Sequence, residues 1–230
     1  MEGIPSNLGD PVLAVIAALA LAIAAAFAFG SSWNLKRGND TLRWLRAALP
    51  ALGERTTLQW MGTSVVKLTI ANAEKPFKDI EILVVMEPRD IPFFWLHGHL
   101  NGRRDSLIFR GHLRQPPAFE VELLQPFLWT GREALAQIDQ KAWTSVSLED
   151  SSANTTKRPF VALANNLRGA DYLQQWFPRA MQLTPDLARI SLRRAGEYQM
   201  QWHATLPRLS AVSAAAIVSQ VRQMAGEANA

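Results

Sequence analysis

Residues 11–30 read PVLAVIAALALAIAAAFAFG, a run with no charged side chain and almost nothing polar. How this run is read decides the organisation of everything after it. About nineteen helical residues rise roughly 29 Å, close to the hydrocarbon thickness of a bilayer. A buried core helix of this composition would need a large domain around it, and the chain has 230 residues. A cleaved signal peptide is the other alternative, because Ala26-Phe27-Ala28 has the small-x-small pattern that precedes cleavage sites. Signal peptides, however, carry positive charge before the apolar run. Here residues 1–10 contain Glu2 and Asp10 and no Lys or Arg, whereas Lys36, Arg37, Arg43 and Arg46 follow the run.

That asymmetry predicts an uncleaved single-pass anchor in the cell membrane. It places a tail (1–10) outside, a transmembrane helix over 11–30 and the C-terminal bulk in the cytoplasm. Lys36, Arg37, Arg43, Arg46 and Trp33 are then expected at the membrane surface, in contact with the lipid bilayer. The run is nearly half alanine, and Ala14-x-x-x-Ala18 and Ala18-x-x-x-Ala22 offer a small-residue face. Such a face suits close packing against another membrane protein's helix, and it equally suits an ordinary alanine-rich anchor.

The remaining 200 or so residues suffice for one domain with a sizeable core. With no cysteine, disulfides, thiolate nucleophiles and cysteine-ligated metals are excluded. All 24 basic residues follow the run, against 18 acidic ones, so the soluble part carries a formal +6. The basic residues are spread along the chain rather than bunched and belong to no nucleic-acid motif, so no nucleic-acid partner is expected.

Beyond the anchor, residues 31–49 read as a basic juxtamembrane segment. Gly38-Asn39-Asp40 predicts a break, with Asp40 capping a second helix whose Leu42, Leu45 and Leu49 share one face and Arg43 and Arg46 another. Residues 50–230 read as the cytoplasmic domain. Val66, Leu68 and Ile70 alternate with Val65, Lys67 and Thr69, a half-buried strand, and 80–86 is apolar at nearly every position, a central strand. IPFFWLHGHL (91–100) predicts a short helix that either buries its aromatics across the sheet or dips into lipid headgroups; the first is preferred, because the domain needs large core side chains.

Residues 107–114 and 119–124 predict a hairpin around Gln115-Pro116-Pro117-Ala118, with Arg114 near Glu120 and His112 near Glu122. Thr130, with Glu133 three residues on, has capping-box spacing for a helix ending near Asp139. A strand is expected over 143–148, and the polar stretch 149–158 reads as a mobile loop carrying the sequon Asn154-Thr155-Thr156. Leu173, Trp176, Phe177, Ala180 and Met181 lie on one helical face despite Pro178, which should kink or split the helix. The faces of Ile190/Leu192 and Tyr198/Met200/Trp202 match only across an odd loop, which predicts a three-residue turn, Arg194-Ala195-Gly196, with Gly196 left-handed. Pro207 and Ser210 open a last helix with Ala214, Ile217, Val218, Val221 and Met224 facing inward.

Hairpins with interspersed helices predict an α+β fold with an antiparallel or mixed sheet flanked by short helices. Hairpin-then-helix recurs at 64–100 and 187–225, a pattern compatible with duplication.

Chemistry has few footholds. There is no phosphate-cradling glycine loop, no G-x-S-x-G, no H-E-x-x-H and no cysteine nucleophile. His97-x-His99 would share a metal only on an extended segment, so with a helix there no metal is expected, and no cofactor either. His112 and His203 are expected on the surface. Arg89, Arg103 and Arg104 bracket the aromatic helix, either as an anion clamp or in ion pairs with Glu87, Asp90 and Asp105 that tie two loops; the second is preferred. The expectation is a membrane-anchored binding, scaffolding or accessory subunit of a membrane complex. The alternative is an enzyme or ligand-binding domain acting on an anionic, lipid-linked substrate.

Overall fold

A computed structural model describes residues 11–138, 142–148, 159–206 and 212–228. The tail 1–10, the loop 149–158 with its sequon, Asp139, Pro207 and Ser210 lie outside the described residues.

The chain opens with α1 (Pro11–Arg46), one uninterrupted helix that rises about 54 Å. Its apolar half is exposed along its length, with a mean hydropathy of 2.8 over its most apolar window, so this helix is long and apolar enough to cross a membrane. The break expected at Gly38-Asn39-Asp40 does not occur. Gly30, Asn34, Gly38, Thr41 and Leu45, spaced three to four residues apart, form one buried stripe that seats the second half of α1 on the domain. That tertiary stripe outweighs the poor helix propensity of Gly, Asn and Asp, and Asp40 accepts from Arg43 at 2.6 Å instead of capping a new helix. A 3-10 turn, Leu49–Ala51, follows.

The domain is built on a nine-stranded, wholly antiparallel sheet, so the fold is α+β. Its strands are β1 (Thr56–Met61), β2 (Val65–Ala71), β3 (Phe77–Val85), β4 (Ser106–Leu113), β5 (Val121–Leu124), β6 (Thr144–Ser145), β7 (Val161–Ala164), β8 (Leu187–Leu192) and β9 (Met200–Thr205). They lie in the order β1-β2-β3-β4-β9-β8-β5-β7-β6. β3 is the interior strand that its continuous apolar run implied, between β2 and β4. β4 and β5 do not form a hairpin. β9 and β8 insert between them, because their alternating apolar faces (Met200, Trp202, Ala204; Ile190, Leu192) need a covered position that an edge does not offer. His112 therefore meets Asp79 at 2.8 Å, and Arg114 donates to the carbonyls of Phe77 and Ala73. Among the described residues Arg114 does not meet Glu120 and His112 does not meet Glu122.

The first face of the sheet carries the main core. Rows such as Leu68–Ile82–Phe109–Trp202–Ile190–Leu123 cross it from strand to strand. On them pack Leu45 of α1, α4 (Leu167–Leu183) and α5 (Ala214–Glu227). The five expected residues of α4 and the five of α5 are all buried. Pro178 does not split α4, since the carbonyl it leaves unpaired belongs to Gln174, on the exposed side where water can serve it. Ser213 caps α5 by accepting from Ala216.

The second face is covered only in part, by α3 (Trp129–Gln137), whose Ala134 packs on Leu124 and Leu163. Thr130 sits inside α3 rather than capping it, Leu128 being the preceding cap position. β8 and β9 are joined by the seven residues 193–199, not by a three-residue turn, and Gly196 is not left-handed. The longer loop slides the register by two residues, which keeps the apolar faces matched, with Leu192 opposite Met200 and Ile190 opposite Trp202.

The aromatic segment forms α2 (Pro92–Leu100), but it buries none of its residues. Phe93 and Leu100 are about three-quarters exposed. The core expected of it is supplied by Phe77, Phe109, Phe119 and Trp202 instead. Because α5 buries half of its residues and α2 none, the two hairpin-then-helix units are not equivalent in packing.

Candidate functional site

The three arginines proposed from sequence as an anion clamp are separated by their partners. Arg89 donates to Asp105 at 2.8 and 3.2 Å and to Asn34 of α1 at 3.2 Å, with Glu87 at 3.6 Å. It locks the loop before α2 to α1. Arg104 donates to the His99 carbonyl at 2.7 Å and so closes the end of α2. Arg103 lies over the Trp129 ring, 4.9 Å from its centre. Only Arg103 and Arg104 line a common hollow. His97 and His99 are on a helix, and His99 Nδ1 is 2.9 Å from Glu87. Among the described residues no group of three metal-ligating side chains forms.

The residues expected at a membrane surface fall at different heights along α1. Trp33 and Lys36 are exposed just past Gly30, and Arg37 is half-buried with Asp105 3.8 Å away. Arg43 and Arg46 are thirteen and sixteen residues beyond Gly30, about 20–24 Å further along α1.

Three chain segments bring exposed apolar side chains to one end of the sheet. Gly30 packs on the loop at Arg89 and Asp90 that opens α2, so α1 leaves the domain beside that helix. Phe93, Phe94, Leu96 and Leu100 of α2 are all more than half exposed. Phe127 and Trp129 extend past the end of β5 beside Gly102, and both are about half exposed. Trp33 and Phe29 of α1 complete the group.

The second feature is a groove across the open sheet face. Pairing places Glu81, Arg110, Gln201, Ser191 and Glu122 in one row over five strands, and Leu83, Ile108, His203, Arg189 and Leu124 in the next. Two carboxylates organise this floor. Glu122 is fully buried and accepts from Arg189 (3.0 and 3.1 Å), Arg193 (2.9 Å) and Ser191 (2.5 Å). Glu81 lies 2.5 Å from Lys67 and accepts from Arg110 at 3.0 Å and from Tyr198 at 3.2 Å. Burial pushes the Glu81 carboxyl up, but the Lys67 and Arg110 contacts outweigh it and hold the group below the usual range. Burial raises the Tyr198 hydroxyl, against the pull of Arg110 stacked 4.3 Å from its ring. His203, expected on the surface, is 7% exposed, and burial, with Arg189 and Arg110 nearby, lowers its pKa to about 3.

Two hollows open along this face and meet at Thr130 and Glu133 of α3. The smaller, about 140 Å³, lies at the α2 end among Val85, Ile108, Leu128, Trp129, Arg103 and Arg104. The larger, about 380 Å³, lies among Arg110, Arg189, Arg193, Gln201, His203 and Tyr198. Arg189, Ser191 and Arg193 alternate along the chain with the apolar Ile190 and Leu192, but only the strand order shows that Glu122 lies among them. No protein-family model matches the chain, and no curated protein matches it.

Proposed function

We propose that the protein is a single-pass membrane-anchored binding module whose α+β domain is clamped against the bilayer rather than hanging from it. One observation carries this reading: the exposed aromatics of α2 and of 127–129 lie at the sheet end from which the apolar helix departs. Aromatic side chains half in and half out of a domain suit the headgroup level, where ring faces meet acyl chains and polar edges meet water. The uninterrupted α1, pinned by Gly30, Asn34 and Gly38, acts as a stiff post that holds that end at a constant height. Trp33, Lys36 and Arg37 sit at the same level and supply aromatic and cationic contacts to the lipid surface. Arg43 and Arg46 stand about 9–14 Å further along α1 than Arg37, beyond that level.

The charge asymmetry around α1 supports a cytoplasmic domain and an outside N-terminus. The exposed small-residue face Ala14-x-x-x-Ala18-x-x-x-Ala22 of α1 supports a partner helix in the membrane and an accessory or scaffolding role in a membrane complex.

The test uses the absence of native cysteine. Single cysteines replacing Phe94, Leu100 or Phe127 in the full chain, labelled with a fluorophore and reconstituted in nanodiscs, should be quenched by lipid-borne nitroxide. A label replacing Leu167, exposed at the opposite end of the sheet, should not. Equal, weak quenching at all four positions would reject the clamped arrangement.

A further inference from the structure

We infer that the groove on the open sheet face binds the phosphate group of an amphiphile, phosphate in the larger hollow and apolar portion in the smaller one. The floor is cationic after internal pairing. Lys67 and Arg110 share the single carboxylate of Glu81, and Arg189 and Arg193 share that of Glu122. Each of Arg110, Arg189 and Arg193 engages its glutamate through Nε and Nη2, which leaves Nη1 donors uncommitted, among the described residues, on three guanidinium groups lining one hollow. Planar guanidinium donors held by a carboxylate on one edge are pre-oriented for phosphate oxygens on the other.

The second observation is independent of charge. His203 lines the same hollow and is 7% exposed, and its Nδ1 has no hydrogen-bond partner among the described residues. Its Nε2 lies 3.3 Å from Gln201 Oε1, which is satisfied if Nε2 carries the proton. Nδ1 is then an acceptor, suited to a phosphate hydroxyl or an ester-side hydroxyl rather than to a bare oxyanion. Glu133 and Glu197 on the rim accept from hydroxyls likewise and disfavour a polyanion, which selects a monophosphate carrying hydroxyl groups.

The direction of the groove supplies the apolar part. The smaller hollow is lined by Val85, Ser106 and Thr205, the strand ends nearest α2, and it presents Ile108, Leu128 and Trp129. A phosphate in the larger hollow would therefore trail its apolar portion toward the end of the sheet where α1 departs. The phosphate could come from a lipid headgroup or from a water-soluble ester. The clamped-domain reading bears only on which source is nearer.

The experiment uses the full chain, ¹⁵N-histidine labelled, in neutral detergent micelles, with the His203 ring signals assigned through H203Q. It is titrated separately with inorganic phosphate and with dihexanoyl phosphatidic acid. The expected result is saturable movement of the His203 signals by both, with the phosphatidate at least about tenfold tighter. R110Q and R193Q should each weaken the phosphatidate about tenfold, the effect of one lost charge-assisted bond. Both variants leave each glutamate a cation, Lys67 for Glu81 and Arg189 for Glu122, and cooperative thermal melts confirm their folding. Unmoved His203 signals with both probes, or unchanged affinity in both variants, would overturn the site. Equal affinity for the two probes would overturn its apolar half and leave a water-soluble ester as the source. Because micelles replace the bilayer, failure of the clamped arrangement in nanodiscs leaves these outcomes independent.

Discussion

Gly30 of α1 rests on the backbone of Arg89 so closely that a Cβ there would stand 2.1 Å from the Arg89 carbonyl oxygen. The apolar helix and the domain thus meet backbone to backbone, with Asn34 one turn later donating to the Glu87 carbonyl at 2.9 Å and Arg89 returning a bond to Asn34. G30A should force the helix off this seat and lower domain stability by about 1–3 kcal/mol, the usual effect of overpacking. G226A in α5 is the control. Nothing lies within 4 Å of its added methyl, and removing a helical glycine should be neutral or stabilise by up to about 1 kcal/mol. Urea midpoints of the full chain in detergent check both.

Glu122 should be among the most sensitive positions in the domain. It is fully buried, and Arg189, only 14% exposed at its side chain, depends on it. E122A leaves that cation without its partner and should cost about 3–5 kcal/mol. R193Q, removing the more exposed partner, should cost much less. Comparing the two denaturation midpoints tests whether the carboxylate is the hub.

His203 makes stability depend on pH. Its folded pKa, about 3, lies below the unfolded value of about 6.5, so the unfolded chain binds the extra proton. The contribution is complete above pH 6.5 and falls by about 1.4 kcal/mol per unit as pH drops toward 3. At pH 5 roughly 2 kcal/mol should be gone. Glu81, whose folded pKa is lowered, adds its own loss only as pH falls below the ordinary carboxylate range. H203Q should flatten the slope from pH 6.5 down toward 3, leaving only the loss from Glu81 as pH falls below the ordinary carboxylate value. Unfolding free energies at half-unit pH intervals measure it.

The proposed membrane orientation of α1 is checked in intact cells. S6C should react with a membrane-impermeant maleimide added outside, and L167C only after lysis. The reverse pattern would place the domain outside and remove the charge-asymmetry argument.

Much of the fold was legible because it depends on local periodicity. The apolar run of α1, the alternation in β2, β8 and β9, the continuous run in β3 and the inward faces of α4 and α5 all stand in the structure as the spacing of their side chains requires. β7 was missed because its four residues, VALA, are too few for a period to be read. Arg89, Arg103 and Arg104 flank α2, but sequence distance does not reveal that Arg89 meets a carboxylate, Arg103 the Trp129 ring and Arg104 a backbone carbonyl.

By itself the sequence determined the spanning length of α1, the excess of positive charge after it, the α+β class and the faces of most elements, all properties of residues near one another along the chain. Only the tertiary structure decided that β8 and β9 part β4 from β5, that Glu122 gathers arginines some seventy residues away, and that α2 is left outside the core. Strand order is settled by which apolar faces together exclude the most water, a sum over the whole chain that no single stretch contains.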